Sequence, residues 1–428
     1  MKPADIKKSL KAVIDLLDHD PTPFLYHPGK DFTRNRKLHF KNVIEMIMRM
    51  GGGSLSKEIF EWFDYAEDTV SVSAFVQQRS KIKYEALNFV FKTMVHQCDR
   101  HLLFHGYRLF AVDGSDLRLP TNKTDSFSFI RNDEESKGYN LLHLDTIYDL
   151  LQHTYIDASI QSKICMTGHR ALVTMIDRSD ISDKVIIIAD RGYESFNNIA
   201  HCQEKGWHYV IRSKESYGIK YTTPATDTFD IDTTITLTRR QTKETRSLMQ
   251  KHPERYRWIQ PHTTFDYIRP REDKMYDLPI RIVRIKISDT LSETILTNLP
   301  RNEFSAETIK ELYKSRWAIE TAFKELKYSI GLASMHSKKQ NLIFQEIFAK
   351  LTVYNVIAMI TYSRNVPSGK RINFAKAVDV CIKFIAEKLS EEFLLKILSK
   401  YLSPIRPGRT FPRSSGIKNP LSFAYRIS

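Results

Sequence analysis

Cysteine is nearly missing from this chain. Its four copies, Cys98, Cys165, Cys202 and Cys381, are widely spaced and form no CxxC pair. That argues against a disulfide framework or a thiolate zinc site and fits a reducing compartment. Glycine and proline number only 15 and 16, too few for a collagenous or long disordered chain. No run of about 18 apolar residues occurs, so no membrane span is expected. The start, Met1-Lys2-Pro3-Ala4-Asp5, lacks the apolar core of a signal peptide.

What the chain does have is positive charge. Lys and Arg total 65 against 50 acidic residues, a net +15. Such a balance suits a polyanionic partner, because neutralising phosphates releases condensed counterions. Nucleic acid is the expected ligand. With 428 residues, 42% of them hydrophobic, the chain can form two or three packed units.

Ile6, Leu10, Ile14 and Leu17 recur at helical spacing. A loop from Pro21 to Lys30 precedes a second helical pattern over 38–49. Gly51-Gly52-Gly53 breaks the chain, and Ser54 is placed to cap a helix reaching about Phe63. A third helix is predicted from about Ser73 to Ile82. The two short helices suit a helix-turn-helix unit, with Gln77, Gln78, Arg79 and Lys81 offering donors to bases or phosphates.

Between residues 107 and 212 the pattern turns to strands. Leu109–Val112 is an apolar run ending in Asp113-Gly114. Val185–Ala189 is another, ending in Asp190. Leu141–Tyr148 and His153–Ile156 read as a hairpin, Gly168–Arg178 as a helix and Tyr209–Ile211 as a short strand. Apolar strands alternating with helices point to an α/β sheet covered on both faces. Residues 214–290 are polar and alternate, as a β-rich insertion with an exposed basic loop from Arg239 to Trp258. A long helix is predicted from Ser305 to about Ile330. Beyond 341 the chain reads as helical, with a basic segment over 403–428.

Two aspartates at the ends of buried strands stand where open α/β sheets bind ligands. On the long helix, Tyr313, Arg316, Glu320, Lys324 and Lys327 fall in a stripe roughly 80° wide at about 100° per residue. Ile309, Leu312, Ile319, Phe323 and Leu326 form the adjoining apolar stripe. Three gathered carboxylates would repel one another, and magnesium, which prefers oxygen ligands, relieves that. Two such ions about 3.5–4 Å apart can drive phosphodiester cleavage with no side-chain nucleophile. Arg316, Lys324 and Lys327 would hold phosphates beside them.

Tyr313-x2-Arg316-x3-Glu320-x6-Lys327 resembles the Y-R-E-K signature of bacterial insertion-sequence transposases of the cut-and-paste DDE group. Thr297-Asn298-Leu299-Pro300, Val112-Asp113-Gly114-Ser115 and Ala189-Asp190-Arg191-Gly192-Tyr193 are similar to that group's text, and the likeness runs over roughly residues 40–345. The resemblance implies an RNase H-like catalytic core, a mixed sheet flanked by helices, formed by 101–213 and 291–340. It implies a helical DNA-binding region over 1–100, a β-strand insertion over 214–290 and a helical C-terminal region over 341–428 contributing to a homodimer. Asp113, Asp190 and Glu320 would bind two Mg2+ or Mn2+ ions. Tyr313, Arg316 and Lys327 would grip the backbone of double-stranded DNA. The reaction implied is cutting at terminal inverted repeats, in several members through a hairpin, and joining of the 3′-hydroxyl ends to target DNA. Hairpin formers stack a flipped base on an aromatic residue of the insertion, for which Trp258 is the candidate; an apolar core role competes with it. A cytoplasmic, nucleoid-associated bacterial protein is expected.

His96-x-Cys98-x2-His101-x3-His105 fits no established metal spacing. The chain beyond about 365 matches nothing in the group. Two other readings stand beside the transposase. One is a nuclease of the same fold without strand joining, disfavoured by the basic insertion and the Y-R-E-K row. The other is a non-catalytic DNA-binding protein derived from a transposase, disfavoured by the presence of all three carboxylates.

Overall fold

The computed structural model describes residues 1–405 except 35, 132, 134, 136, 163–167, 215–218, 221, 225 and 289–290. Cys165 and the basic terminal segment from 406 onward lie outside the described residues.

Apolar residues at three- and four-residue intervals fold the first hundred residues into helices α1 (Pro3–His19), α2 (Phe40–Arg49), α3 (Leu55–Trp62), α4 (Val72–Arg79) and α5 (Glu85–Gln97). Ser54 and Ser71 cap α3 and α4 by accepting the amides of Lys57 and Ala74, which satisfies donors a helix start leaves orphaned. The α3–α4 pair predicted from the sequence is present, although α4 ends at Arg79 and not at Ile82.

Among the described residues, ten strands build one mixed sheet. The meander β1 (Arg108–Leu119), β3 (Tyr139–Asp149) and β4 (Thr154–Ser162) is antiparallel, with the short β2 (Phe129–Ile130) on the outer edge of β3. Strand β5 (Val185–Ala189) pairs in parallel with β1, and β6 (His208–Arg212) in parallel with β5. Then β10 (Leu291–Thr297) runs antiparallel to β6 and carries the sheet onward through β9 (Met275–Ser288), β7 (Phe229–Thr238) and β8 (Tyr256–Trp258). The β-rich stretch is therefore continuous with the central sheet. Its basic segment is no open loop, because it contains helix α8 (Lys243–Lys251). Arg239 donates to the carbonyls of Ile268, Gln260 and Thr263, and Arg257 is buried.

Strand side chains alternate between faces, and two cores result. Leu109 and Ala111 of β1, with Ile186 and Ile188 of β5, enter one cluster. Phe110 and Val112, with Ile187 and Ala189, enter the other. The second face is covered by α6 (Gly168–Asp177) and α7 (Phe196–Glu204). The first is covered by α9 (Ala306–Ser315), α10 (Trp317–Lys324) and α11 (Gln340–Tyr362).

The single long helix expected from Ser305 to Ile330 is broken into pieces. At Arg316 the amide bonds back three residues to the Tyr313 carbonyl, tightening the turn between α9 and α10. After α10 the chain widens into a π-turn over Glu325–Ser329, a form found often at functional sites.

Among the described residues, one helix, α11, is long and apolar enough to cross a membrane by length and composition. It lies wholly inside the fold, packed by α5, α2 and β4. Its polar residues are paired internally. Asn355 exchanges two bonds with the Tyr155 backbone, and Lys350 donates to the Met50 carbonyl. Helices α12 (Phe374–Ile385) and α13 (Glu391–Lys400) pack beyond it, beside a small ribbon of β11 (Lys370–Ile372) with β12 (Leu402–Pro404).

Candidate active site

The register of β1 on β5 brings the two aspartates together. Val112 lies opposite Ala189 in a parallel pair, so Asp113 and Asp190 follow at the same level on adjacent strands, which run about 4.8 Å apart. By alternation, both aspartates belong to the face that carries Ala111 and Ile188, the face covered by α9 and α10. Ile309, Leu312, Ile319 and Phe323 bury the apolar stripe of these helices there, and the polar row comes down along the seam.

Tyr313 is buried, and its hydroxyl donates to Asp190 Oδ1 at 3.2 Å. Asp190 Oδ1 also accepts the Arg191 amide at 2.7 Å, which starts a 3-10 turn over Arg191–Tyr193. Arg316, 5% exposed, donates to Glu320 Oε1 at 2.9 Å. Asp113 accepts the Gly114 amide at 2.9 Å. Burial pushes the Asp113 carboxyl up to about 6; the Gly114 amide and Arg316 oppose this, and the charges of Glu320 and Asp190 add to it. That coupling is the electrostatic sign of three carboxylates sharing one neighbourhood. Burial and Asp190 push the Tyr313 phenol up to about 12.

The remaining members of the row sit at its edge. Lys327 donates to the Asp116 carbonyl at 2.8 Å; burial lowers its pKa while Asp116 and Asp113 hold it up. Lys324 is exposed and, among the described residues, has no bonded partner. Trp258 is half-buried on β8, and its indole nitrogen is enclosed with no hydrogen-bond partner among the described residues.

Among the described residues, no three His, Cys, Asp or Glu side chains are arranged as they stand to hold a metal ion. The donor set nevertheless fits a hard divalent cation in kind. It consists of three carboxylates, one of them strained by its neighbours' charge, with Glu320 tied to Arg316 and Asp190 to Tyr313.

The N-terminal expectations divide. Gln77 is exposed, with its amide on Ser73 Oγ at 3.3 Å. Lys81 is partly exposed and donates to Gln78 at 3.0 Å. Arg79 must be corrected. It is 1% exposed and is spent inside the protein on Gln345 Oε1 (2.9 Å), Glu346 Oε1 (3.1 Å) and the Leu342 carbonyl (2.6 Å). Helix spacing alone could not separate it from its exposed neighbours, because the partner helix lies more than 250 residues away.

A second polar cluster, which sequence reasoning missed, lies beneath the aspartates on the opposite face of the sheet. Asp145 is fully buried. Its Oδ1 accepts the Tyr193 hydroxyl at 2.8 Å and faces His143 Nε2 at 3.5 Å; its Oδ2 is enclosed with no partner among the described residues. His143 Nδ1 meets Asp116 Oδ1 at 2.6 Å. Burial works against the imidazolium, but bonds to Asp116 and Asp145 push its pKa up to about 9. A Cβ on Gly114 would collide with His143 Nε2 and lie 2.8 Å from Asp145 Oδ1, so the glycine after Asp113 makes room for this cluster. The cluster ties the segment after Asp190, through Tyr193, to the strands beside Asp113. The available signal was a histidine and an aspartate two apart, His143 and Asp145, flanking Leu144 after the apolar Leu141-Leu142.

The molecule is thus a mixed α/β protein with three carboxylates and Arg316 gathered on the face of its sheet that α9 and α10 cover. The profile of the transposase DDE domain family matches residues 104–356, and the chain belongs to that family. It is 44% identical over 57 residues to the transposase for insertion sequence element IS421 of Escherichia coli and to InsL of insertion sequence element IS186A of Escherichia coli K12. Each match covers 13% of this chain and 15% of the relative. Over 153 residues, 36% of this chain and 39% of the relative, it is 24% identical to y4zB of Sinorhizobium fredii, also named as a transposase. The chain therefore spans well under half the length of these relatives. Among solved structures, the piggyBac transposase synaptic complex with hairpin DNA aligns over 95% of this chain and 84% of that one, with 10% identity and a TM-score of 0.44, a likeness too loose to argue from.

Proposed function

We propose that the chain is a DNA transposase that cuts at the terminal inverted repeats of its element and joins the 3′-hydroxyl ends to target DNA. The observation that carries this reading is the register of β1 on β5, which sets Asp113 beside Asp190, together with the charge of Glu320 felt at Asp113. In this reading the antiparallel meander with two parallel strands beside it, flanked by helices on both faces, is the RNase H-like core. Residues 1–100 bind DNA, 214–290 are the insertion, and 341–428 contribute to a homodimer.

Asp113, Asp190 and Glu320 are the residues that would hold two Mg2+ or Mn2+ ions. When bound, such ions supply the Lewis acidity that activates an attacking water or 3′-hydroxyl and stabilises the leaving oxygen. The chain's own contribution is positional. Tyr313 and Arg316 hold Asp190 and Glu320 in place from α9 and α10, and in the DNA complex they turn toward the backbone. Lys324, exposed and with no bonded partner among the described residues, meets a phosphate directly, and Lys327 grips the backbone beside it. Trp258 is the candidate to stack a flipped base, with Gln77 and Lys81 as outer contacts.

The test is cleavage of labelled element ends by purified protein with Mg2+. Asp113→Ala, Asp190→Ala and Glu320→Ala should each abolish cutting while the protein stays folded. Undiminished cutting by any one of them rejects that residue's role, and cutting without recoverable joined product favours a nuclease.

A further inference from the structure

We infer that Glu325 is a positioning residue for the carboxylate site: two tyrosines of α11, Tyr354 and Tyr362, hold its side chain and so fix the π-turn between Glu320 and the strand that Lys327 reaches. The inference rests on the transposase reading, in which Asp113, Asp190 and Glu320 hold metal ions. It gives the long C-terminal helix a part in that site.

Three observations converge on it. The first is the shape of the turn. Glu325 follows Glu320 along the same run of helix, and its own carbonyl accepts the Ile330 amide at 3.0 Å. That bond spans one residue more than an α-turn. Within the turn, Lys327 reaches the Asp116 carbonyl on β1 at 2.8 Å. Widening a helix by a residue rotates everything beyond it, so the aim of Lys327 depends on the turn being kept. A π-turn is a rare form, and this one is held from outside.

The second is what holds it. Tyr354, fully buried, donates to Glu325 Oε2 at 3.3 Å, and Tyr362 donates to the same carboxyl. Tyr354 spends its one proton there, so the Tyr148 hydroxyl, 3.2 Å away, must donate to Tyr354. Tyr362 is kept in place by His153 of the β3–β4 turn, stacked on it with ring centres 4.1 Å apart. Burial pushes the Glu325 carboxyl up to about 7, opposed by Arg371 on β11 and the two phenols. Acids kept against burial in this way gather at functional sites.

The third is where the tyrosines lead. Tyr148 lies opposite Ala111 on β1, which shares its face of the strand with Asp113. The Tyr155 ring packs on Tyr354 at 4.9 Å and on Phe323 of α10 at 5.8 Å. Burial pushes the Tyr155 phenol well up, and the charges of Tyr148, Glu325 and Asp113 add to it, so this residue feels both Glu325 and Asp113. One aromatic layer thus grips α10 before the turn, the turn itself and the strand that carries Asp113.

Metal-free, full-length protein is titrated with Mn2+ by calorimetry, and cutting of labelled element ends is followed to separate kcat from KM. Compared are the wild type, E325A, E325Q, Y354F/Y362F and L398A, a core truncation on α13. E325A and Y354F/Y362F should bind Mn2+ roughly tenfold more weakly, the lower end for groups that orient metal ligands, and should lower kcat with KM unchanged. E325Q keeps the size and an oxygen for the two hydroxyls and should recover most of the affinity. L398A should lower Tm yet bind Mn2+ as the wild type does, at a temperature where every variant is folded. Wild-type affinity in E325A and Y354F/Y362F overturns the inference. So does an E325Q no better than E325A, or an equal loss in L398A, which would make the effect one of stability alone. A wild type that takes up no Mn2+ overturns the metal-site reading, and the inference with it.

Discussion

Asp113→Asn should make the protein more stable near neutral pH while destroying its proposed activity. The Asp113 carboxyl titrates at about 6 in the folded chain against an ordinary 3.8, chiefly because it is buried, with Glu320 and Asp190 adding their charges. An acid whose folded pKa is raised favours the folded state while protonated. Its contribution is fully present below 3.8 and is lost as pH rises through about 6. At about 1.4 kcal/mol per pH unit of displacement, the ionised wild type gives up about 3 kcal/mol at pH 7 that an amide does not. Asn also keeps the oxygen that accepts the Gly114 amide, so little else changes. Urea unfolding in EDTA should show the variant ahead by about 3 kcal/mol above pH 7, and by roughly half of that near pH 5. Added Mg2+ should stabilise the wild type and narrow the gap, because ligand binding to the native state adds to its stability. A gap that does not change with pH, or an Asn variant less stable than the wild type, would refute the electrostatic reasoning.

Arg79→Ala should act on folding and leave DNA contact alone. Removing it strands Glu346 in the core with His336 as its remaining ionisable neighbour, a loss of about 3–5 kcal/mol for a broken buried pair; near-normal urea stability together with lost DNA binding would reverse this assignment. Gly114→Ala should cost about 1–3 kcal/mol through overpacking against His143 and Asp145, and it should slow DNA cleavage by displacing Asp113. Full cleavage rates in that variant would separate the lower cluster from the carboxylates above it.

Much of the central sheet was legible because its strands are apolar on both faces. Val185–Ala189 could be little else, and Asp113 and Asp190 declared themselves by ending such runs. The helix stripe from Tyr313 to Lys327 was legible from periodicity, but its break at Arg316 was not, since no glycine or proline marks it. Pairing was beyond reach for a different reason. That β1 lies between β3 and β5 is set by contacts tens of residues apart, so the meeting of His143 and Asp145 with Gly114 left only a faint mark in the strand pattern. Arg79 shows the same limit. On its own helix it resembles Gln77 and Gln78, and α11, which buries it, follows about 260 residues later.

Mn2+ titration of the metal-free, full-length protein by calorimetry, with the wild type beside Asp113→Ala, Asp190→Ala and Glu320→Ala, asks whether the three acids share one cation-holding pocket. The wild type should take up the metal, and each folded variant should bind it markedly more weakly. Binding that is equally strong in all four proteins, or absent from the wild type, would contradict it.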